Sequence, residues 1–199
     1  MSSFKRIIFC LYYQDNNFYL SRNFRLQKVG DLNWLIQNFG FGVTANYIDE
    51  LVVLLVKKNP SEKDYSNFVM MLENLRKKIF IPIVIGGNIR NIKNANSYFK
   101  FGADKILINS AAYSNKKLIE EITKYYGSQS VSIMVDYKKI DNKVFLYSNY
   151  GTKLISTELK QHIKDLNNLN CGEIILNSID NDGNGAGLDN LILEEIPNG

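Results

Sequence analysis

Four apolar runs in this chain each carry one charged residue at their start: Arg6 in K-R-I-I-F-C, Glu50 in D-E-L-V-V-L-L-V, Lys105 in D-K-I-L-I-N and Glu173 in G-E-I-I-L-N. A charge at the start of a buried segment is costly unless another charge compensates it. The signs alternate along the chain, so the four charges would cancel if the runs were parallel strands whose N-terminal ends met around one axis. This feature favours a barrel whose floor is closed by a ring of charges.

The runs have the composition of buried parallel strands, because Ile, Val, Leu and Phe fill them without polar alternation and helical patterns separate them. The sequence predicts strands near 5–13, 50–56, 81–86, 103–109, 130–137 and 173–178. Helices are predicted near 31–40, 62–78, 91–101, 115–126, 157–169 and 188–195, whereas residues 40–49 give no defined pattern. The repeating unit is βα, so we expect the α/β fold class and one domain over residues 1–199.

The chain also repeats itself. The segments I-I-F-C-L-Y-Y-Q-D-N-N-F-Y-L-S-R-N and V-S-I-M-V-D-Y-K-K-I-D-N-K-V-F-L-Y-S-N share an apolar strand, a tyrosine, a polar turn and a second apolar segment. We therefore predict a half-barrel repeat, with one half at residues 1–127 and a partial second half at 128–199. Superposing the halves places Tyr12 where Asp136 stands.

Strand parity places polar residues at the C-terminal ends of the predicted strands on the same side as the entrance charges. The sets that share a face are Arg6, Cys10 and Tyr12; Lys105 and Asn109; and Glu173 and Asn177. In parallel α/β barrels the C-terminal ends of the strands carry the chemistry.

Motifs over nearly the whole chain resemble the cyclase subunit of imidazole glycerol phosphate synthase. In order they are R-I-I-x-C-L, N-F, V-G-D, D-E-L-V, G-G-x-I-R, F-G-A-D-K-x-x-I-N-S-A-A, Y-G-S-Q-S-V, G-E-I-I-L and S-I-D-x-D-G. The resemblance implies a TIM-type (βα)₈ barrel that binds a glutaminase at the N-terminal face of its strands. Ammonia from that partner would cross the barrel to a phosphorylated small-molecule acceptor.

The resemblance also implies roles for particular residues. Those matching the ammonia gate are Arg6, Glu50, Lys105 and Glu173, and those matching phosphate-contacting positions are Gly86, Gly87, Asn109 and Ser110. The two aspartates that serve the family as acid and base correspond to Tyr12 and Asp136, so the candidate acid/base is Asp136. No organic cofactor or metal is implied.

Four positions depart from the family pattern. Tyr12 replaces the first aspartate, and Leu20 replaces a lysine that contacts substrate. Leu55 replaces a further aspartate, and Asn88 replaces the third glycine of G-G-G. A phenol with a pKa near ~10 cannot serve as a general base at neutral pH without a large shift. The sequence also ends after S-I-D-N-D-G and one helical pattern, so only about six βα units are expected, an incomplete barrel with an exposed edge on its last strand.

Each candidate also has a purely structural interpretation. Asp136 and Asn109 fit helix caps, the four entrance charges fit a neutral structural cluster, and a Gly-Gly pair fits a tight turn. The run from Ser178 to Gly187 resembles the family's flexible loop after strand six. His162 lies in a helical pattern with no obvious partner, and we expect it at the surface.

Composition excludes several classes. The start lacks the apolar stretch of a signal peptide and no apolar run approaches ~20 residues, so we expect a cytoplasmic protein without a membrane partner. No basic stripe with interleaved aromatics occurs, which argues against a nucleic-acid partner.

Three functions stay open at this stage. The first is a cyclase-like subunit of a glutamine-dependent amidotransferase from the family branch associated with amidation of surface-polysaccharide sugars, and K-V-G-D and Tyr12 favour it. The second is the imidazole glycerol phosphate synthase cyclase of histidine biosynthesis. The third is a non-catalytic, truncated barrel that at most docks a glutaminase.

Overall fold

The structure is a computed structural model that describes residues 5–197. The chain divides into two compact units. The first contains the residues up to Leu20 together with Leu26–Ile106, and the second contains Ser21–Arg25 together with the residues from Leu107 onward.

The first unit is built on neighbouring strands with helices between them. Its elements are β1 (Ile8–Gln14), β2 (Asn17–Arg22), β3 (Arg25–Gly30), α1 (Leu32–Asn38), α2 (Phe41–Thr44), a 3₁₀ turn (Ala45–Tyr47), β4 (Glu50–Leu55), α3 (Glu62–Arg76), β5 (Ile83–Gly86), α4 (Ile92–Lys100) and β6 (Lys105–Ile108), and one end each of β2, β3 and β6 belongs to the second unit. The strand order is β3-β2-β1-β4-β5-β6. Strands β1, β4 and β5 are parallel, and β4 is buried along its whole length.

Local sequence explains the helix boundaries in this unit. Helix α3 begins after Ser61, whose hydroxyl accepts from the Asp64 N–H while the Asp64 carboxylate accepts from the Ser61 N–H. The buried face of α3 includes Phe68, whose ring packs edge-on against Tyr98 of α4 at 5.7 Å. The helices thus cover the apolar strands, as continuous apolar runs require.

The second unit is centred on one long strand. Its elements are α5 (Ser110–Ser114), α6 (Lys116–Tyr126), a 3₁₀ turn (Ser128–Ser130), β7 (Val131–Ile140), β8 (Lys143–Ser148), β9 (Lys153–Ile155), α7 (Leu159–Asn168), β10 (Glu173–Ser178) and a 3₁₀ helix (Asn190–Glu195). Strand β10 pairs with β7 in parallel, β8 pairs with β7 antiparallel and β9 pairs with β8.

The prediction of an α/β fold with parallel strands is confirmed and is consistent with the TIM-type barrel, but the prediction of only six strands was too low. The structure has ten strands among its described residues, and the added ones, β2, β3, β8 and β9, extend β1 and β7 as hairpins. Their tight turns at Asp15–Asn16 and Asp141–Asn142 have positive φ at both residues, which two-residue hairpin loops of this type require. The helix predicted near 188–195 is a short 3₁₀ helix.

Candidate functional site

Three charges meet at the N-terminal ends of the strands in the first unit. Glu50 Oε2 lies 3.1 Å from Arg6 Nη1, and Glu50 Oε1 lies 2.8 Å from Lys105 Nζ. The Glu50 side chain is only 3% exposed, whereas the two cations remain partly exposed. We refer to Arg6, Glu50 and Lys105 as the entrance cluster. One buried carboxylate is compensated there by two cations.

The strand ends are held in place by hydrogen bonds around the entrance cluster. Asp49, which precedes Glu50, accepts from the Ile7 N–H at 2.7 Å, so the start of β1 is tied to the start of β4. Asp104, which precedes Lys105, accepts from the Ile83 N–H at 2.8 Å and from Arg76 at 3.0 Å. The aspartates before Glu50 and Lys105 therefore tie the chain just before β1 and the start of β5 to the starts of β4 and β6.

Glu173, the fourth predicted gate residue, lies in the second unit. It begins β10 opposite Ser132 of β7, and Ser132 Oγ donates to Glu173 Oε2 at 3.2 Å. The structure thus brings Glu50 together with two of the predicted gate residues and places Glu173 at the equivalent strand start of its own unit.

Asp136, the candidate acid/base, is buried between two amides. Asn177 Nδ2 donates to Asp136 Oδ1 and Asn109 Nδ2 donates to Asp136 Oδ2, each at 2.8 Å. Only 4% of Asp136 is exposed, and burial raises its pKa to about 6 against the lowering effect of the two amides. A carboxyl group with a pKa in this range can take up and release a proton near neutral pH. We refer to Asp136, Asn109 and Asn177 as the Asp136 cluster.

The second predicted phosphate-contacting pair, Asn109 and Ser110, has mixed roles. Asn109 is the N-cap residue of α5, but its side chain makes no capping hydrogen bond. Its amide is committed to Asp136 instead. Ser110 Oγ accepts from the Asn149 N–H at 3.1 Å, which ties the start of α5 to the turn after β8.

Register supports the predicted equivalence of Tyr12 and Asp136. In the first unit Tyr12 is four residues beyond Ile8, the partner of Glu50, and in the second unit Asp136 is four residues beyond Ser132, the partner of Glu173. Tyr12 therefore holds, within its unit, the strand position that Asp136 holds in the other.

The Gly86–Asn88 turn follows β5 and closes over the end of β4. Gly87 has φ +89°, and a Cβ there would lie 2.1 Å from Leu55 O, so only glycine fits. The Gly87 carbonyl accepts from the Tyr98 hydroxyl at 3.1 Å. Asn88, at the family's third glycine, also has positive φ, and its amide donates to Leu55 O and Lys57 O at 3.2 and 3.0 Å.

Leu55 and Leu20, the remaining departures from the family pattern, are apolar side chains that are at least partly buried. Leu55 is buried in the apolar core of the first unit, and Leu20 is half-buried in β2. Neither side chain can exchange a proton or pair with a charge.

Sequence reasoning missed Asp182 in the second unit. Its carboxylate accepts from Ser21 Oγ and from the Phe24 N–H, the latter at 2.9 Å, and its negative charge helps to raise the pKa of Asp136. A Cβ on Gly183 would lie 2.1 Å from Ser21 O. The glycine after Asp182 therefore allows the two backbone segments to approach each other closely. The D-x-D-G pattern after a strand was the available signal.

His162 was expected at the surface, and this expectation is wrong. It is 3% exposed on the face of α7 that also buries Leu159, Ile163 and Leu166. Its ring stacks on Tyr113 of α5 with centroids 4.3 Å apart and planes inclined by 13°. Burial lowers the pKa of His162 to about 4, so the imidazole is neutral at pH 7.

Residues 5–197 contain neither a metal-binding cluster nor a membrane-spanning helix. No group of three or more His, Cys, Asp or Glu side chains is arranged there to hold a metal ion. Within the same residues, no helix combines the length and apolar character needed to cross a bilayer.

Comparison with known proteins places these features in a family. Residues 42–198 match the family described as histidine biosynthesis protein. A protein provisionally named imidazole glycerol phosphate synthase subunit hisF2, from Parasynechococcus marenigrum, is 38% identical over 93% of this chain and 68% of its own length. The imidazole glycerol phosphate synthase subunits HisF of Chlorobium phaeobacteroides and Prosthecochloris aestuarii are 34% and 33% identical, each over 96% of this chain and 74% of their own length. The chain therefore belongs to the histidine biosynthesis protein family, in which its relatives are HisF subunits of imidazole glycerol phosphate synthase.

Proposed function

We propose that this chain is the cyclase-like subunit of a glutamine-dependent amidotransferase. It receives ammonia from a glutaminase at the N-terminal ends of its strands and delivers the ammonia to a phosphorylated or sugar acceptor at their C-terminal ends. The observation that carries the proposal is the entrance cluster, in which buried Glu50 lies between Arg6 and Lys105. The relatives are themselves named as subunits of a synthase, which supports a partner chain.

The proposed docking face has large apolar side chains exposed to solvent. Ile7, Tyr47 and Phe80 precede β1, β4 and β5, so they lie at the strand ends that carry the entrance cluster, and Phe80 is 97% exposed. Exposed apolar side chains grouped with charges are typical of a protein–protein interface. The occupant we propose is the glutaminase, because its product would then be released beside the entrance cluster.

The entrance cluster suits a gate for a small neutral molecule. Its salt bridges link Arg6, just before β1, to the starts of β4 and β6, and the partial exposure of Arg6 and Lys105 leaves both cations able to move. Swinging one cation away leaves Glu50 compensated by the other, so the gate opens without leaving a buried charge alone.

Asp136 is the proposed acid/base. At pH 7 it is mostly ionised, because its pKa is about 6, and it can accept a proton as ammonia attacks the acceptor. The amides of Asn109 and Asn177 hold both carboxylate oxygens, so the group keeps one orientation during proton transfer. No metal or organic cofactor enters this proposal.

For the acceptor we propose a surface-polysaccharide sugar rather than the histidine-pathway substrate. Tyr12 leaves one carboxylate where the histidine enzymes use two, and Leu55 and Leu20 replace further polar contacts. The greater identity to the provisional hisF2 protein, 38% against 34% and 33%, supports a divergent branch.

Imidazole glycerol phosphate synthesis is the second candidate function, favoured by the family match and by the names of the HisF relatives. The third candidate is a chain that only docks the glutaminase. Supplying the purified chain with ammonium and the ribulosyl aminoimidazole carboxamide phosphate of the histidine pathway separates the first two. We expect no imidazole glycerol phosphate above background, with Tyr12→Asp failing to restore it, whereas turnover by the unmodified chain would establish the second candidate.

A nitrogen-transfer assay distinguishes the docking-only candidate from the proposed amidotransferase function. The chain and the glutaminase encoded nearest to it are incubated with amide-¹⁵N glutamine and nucleotide-linked sugars. Incorporation of ¹⁵N into a sugar that is lost with Asp136→Asn supports the proposal. Tight binding of the glutaminase without incorporation into any acceptor supports docking only.

A further inference from the structure

Two buried polar atoms of the second unit find no hydrogen-bond partner among residues 5–197. They are the Tyr113 hydroxyl oxygen and His162 Nε2. Tyr113 belongs to α5 and His162 to the buried face of α7, and their rings stack at 4.3 Å.

Such atoms are costly to leave without a partner. Buried polar groups in native proteins are hydrogen-bonded to protein or to an ordered small molecule, and an unsatisfied one loses its full hydration energy. The hydroxyl and the ring nitrogen make their best hydrogen bonds in the planes of their rings, so two nearly parallel stacked rings cannot satisfy one another. A third group is therefore required.

The charges around the stack indicate a neutral ligand. The charged groups that act on His162 are Asp165 and Lys116, which pair with each other at 2.8 Å and so largely cancel. Burial keeps His162 neutral at pH 7, and burial together with the nearby charge of Asp136 raises the pKa of Tyr113, so its hydroxyl keeps its proton. A neutral phenol and a neutral imidazole match a molecule that both donates and accepts one hydrogen bond.

We propose that Tyr113 Oη and His162 Nε2 bind one small neutral hydrogen-bonding molecule, water or ammonia, between α5 and α7. Helix α5 directly follows Asn109, whose amide donates to Asp136. The bound molecule thus lies between α7 and the helix that directly follows Asn109. The ammonia alternative rests on the proposed function, whereas the water alternative does not.

The test exploits the single histidine of the chain. Labelling with ¹⁵N-histidine gives a nitrogen spectrum of His162 alone, recorded for the full chain, for Tyr113→Phe and for the control Tyr125→Phe. Tyr125 is 75% exposed, so the control removes a hydroxyl without touching the stack. Each spectrum is recorded at alkaline pH in sodium chloride and in ammonium chloride of equal ionic strength.

The proposal predicts that Tyr113→Phe shifts the Nε2 resonance and lowers Tm, whereas Tyr125→Phe does neither. A saturable, ammonium-specific shift that Tyr113→Phe abolishes identifies ammonia. A water-to-imidazole cross-peak with no ammonium dependence identifies water. An Nε2 resonance unmoved by Tyr113→Phe, with Tm unchanged or raised by loss of an unsatisfied hydroxyl, would overturn the proposal. Because the chain is studied alone, failure here leaves glutaminase binding and nitrogen transfer to be judged by their own assays.

Discussion

Asp136 and Asn177 are directly opposed on the parallel strands β7 and β10, and the Asn177 amide donates to Asp136 Oδ1 at 2.8 Å. This bond and the one from Asn109 favour the ionised carboxylate, yet burial outweighs both and raises the pKa of Asp136 to about 6. The carboxylate is therefore held in a defined orientation at an energetic cost above pH 6, which is common at functional sites.

We expect Asp136→Asn to stabilise the protein at pH 8 by roughly 1–3 kcal/mol. Because the folded state favours the protonated carboxyl, the contribution of Asp136 to stability is fully present below about pH 4 and is lost as the pH rises through about 6. Urea unfolding from pH 4 to pH 8 measures this, and the two proteins should converge at the acid end. Asp165→Asn is the control of opposite sign, because Lys116 lowers the pKa of Asp165. Equal pH dependence of wild type and Asp136→Asn would contradict the assignment.

We expect Lys105→Met to lower the free energy of unfolding by about 3 kcal/mol, near the lower end for breaking a buried ion pair because Arg6 still faces Glu50. Lys117→Met, on the exposed face of α6, is the matched control and should change it by less than about 0.5 kcal/mol. Adding Glu50→Gln to Lys105→Met should recover part of the loss, since the carboxylate then no longer needs a cation. Denaturant unfolding of the wild type, the two single lysine variants and the double variant measures these differences. Equal midpoints for both lysine variants would show that Lys105 does not stabilise the buried Glu50 carboxylate.

We expect Gly87→Ala to destabilise the protein by about 3 kcal/mol or more, through strain at positive φ and displacement of the Leu55 backbone. Gly127→Ala is the control, because Gly127 has a similar φ of +85° but open space around its Cβ position. The difference between the two variants in thermal unfolding isolates the clash. If they were equally stable, the turn after β5 would not be held against β4 as described.

Much of this fold follows from the sequence because buried parallel strands have an unmistakable composition. The runs that begin at Glu50 and Glu173 are strands, and the charges at their starts lie where parity predicts. The added hairpins are harder to predict, because Asp15–Asn16 and Asp141–Asn142 are turn signals but the short segments that follow them lack the continuous apolar composition of the buried strands.

The site was harder to predict. Strand parity predicts that Asn109 and Asn177 lie on the same strand faces as the charges at the strand starts. Their convergence on Asp136 depends on the register of β7 with β10 and on the path of the chain into α5, which local sequence does not encode. The polarity of His162 favours the surface, whereas its helical spacing with Leu159 and Leu166 indicates the buried face, and the structure follows the spacing.

We expect Phe80→Glu to weaken binding of the glutaminase by at least about tenfold, because a charge replaces an apolar contact at the proposed docking face. Phe80 is 97% exposed, so Tm should remain within experimental error of the wild type. Tyr125→Glu, on α6, is the matched exposed aromatic and should leave affinity unchanged. Calorimetric titration gives the affinities, and equal weakening by both variants would place the interface elsewhere.

The rate at which the neighbouring glutaminase hydrolyses glutamine, measured with and without this chain, tests the central claim most directly. If the chain is an amidotransferase subunit, saturating amounts should raise that rate by about tenfold or more, and Phe80→Glu should require correspondingly more chain for the same effect. An unchanged rate at saturating wild-type chain, with no complex detectable by titration, would contradict the account.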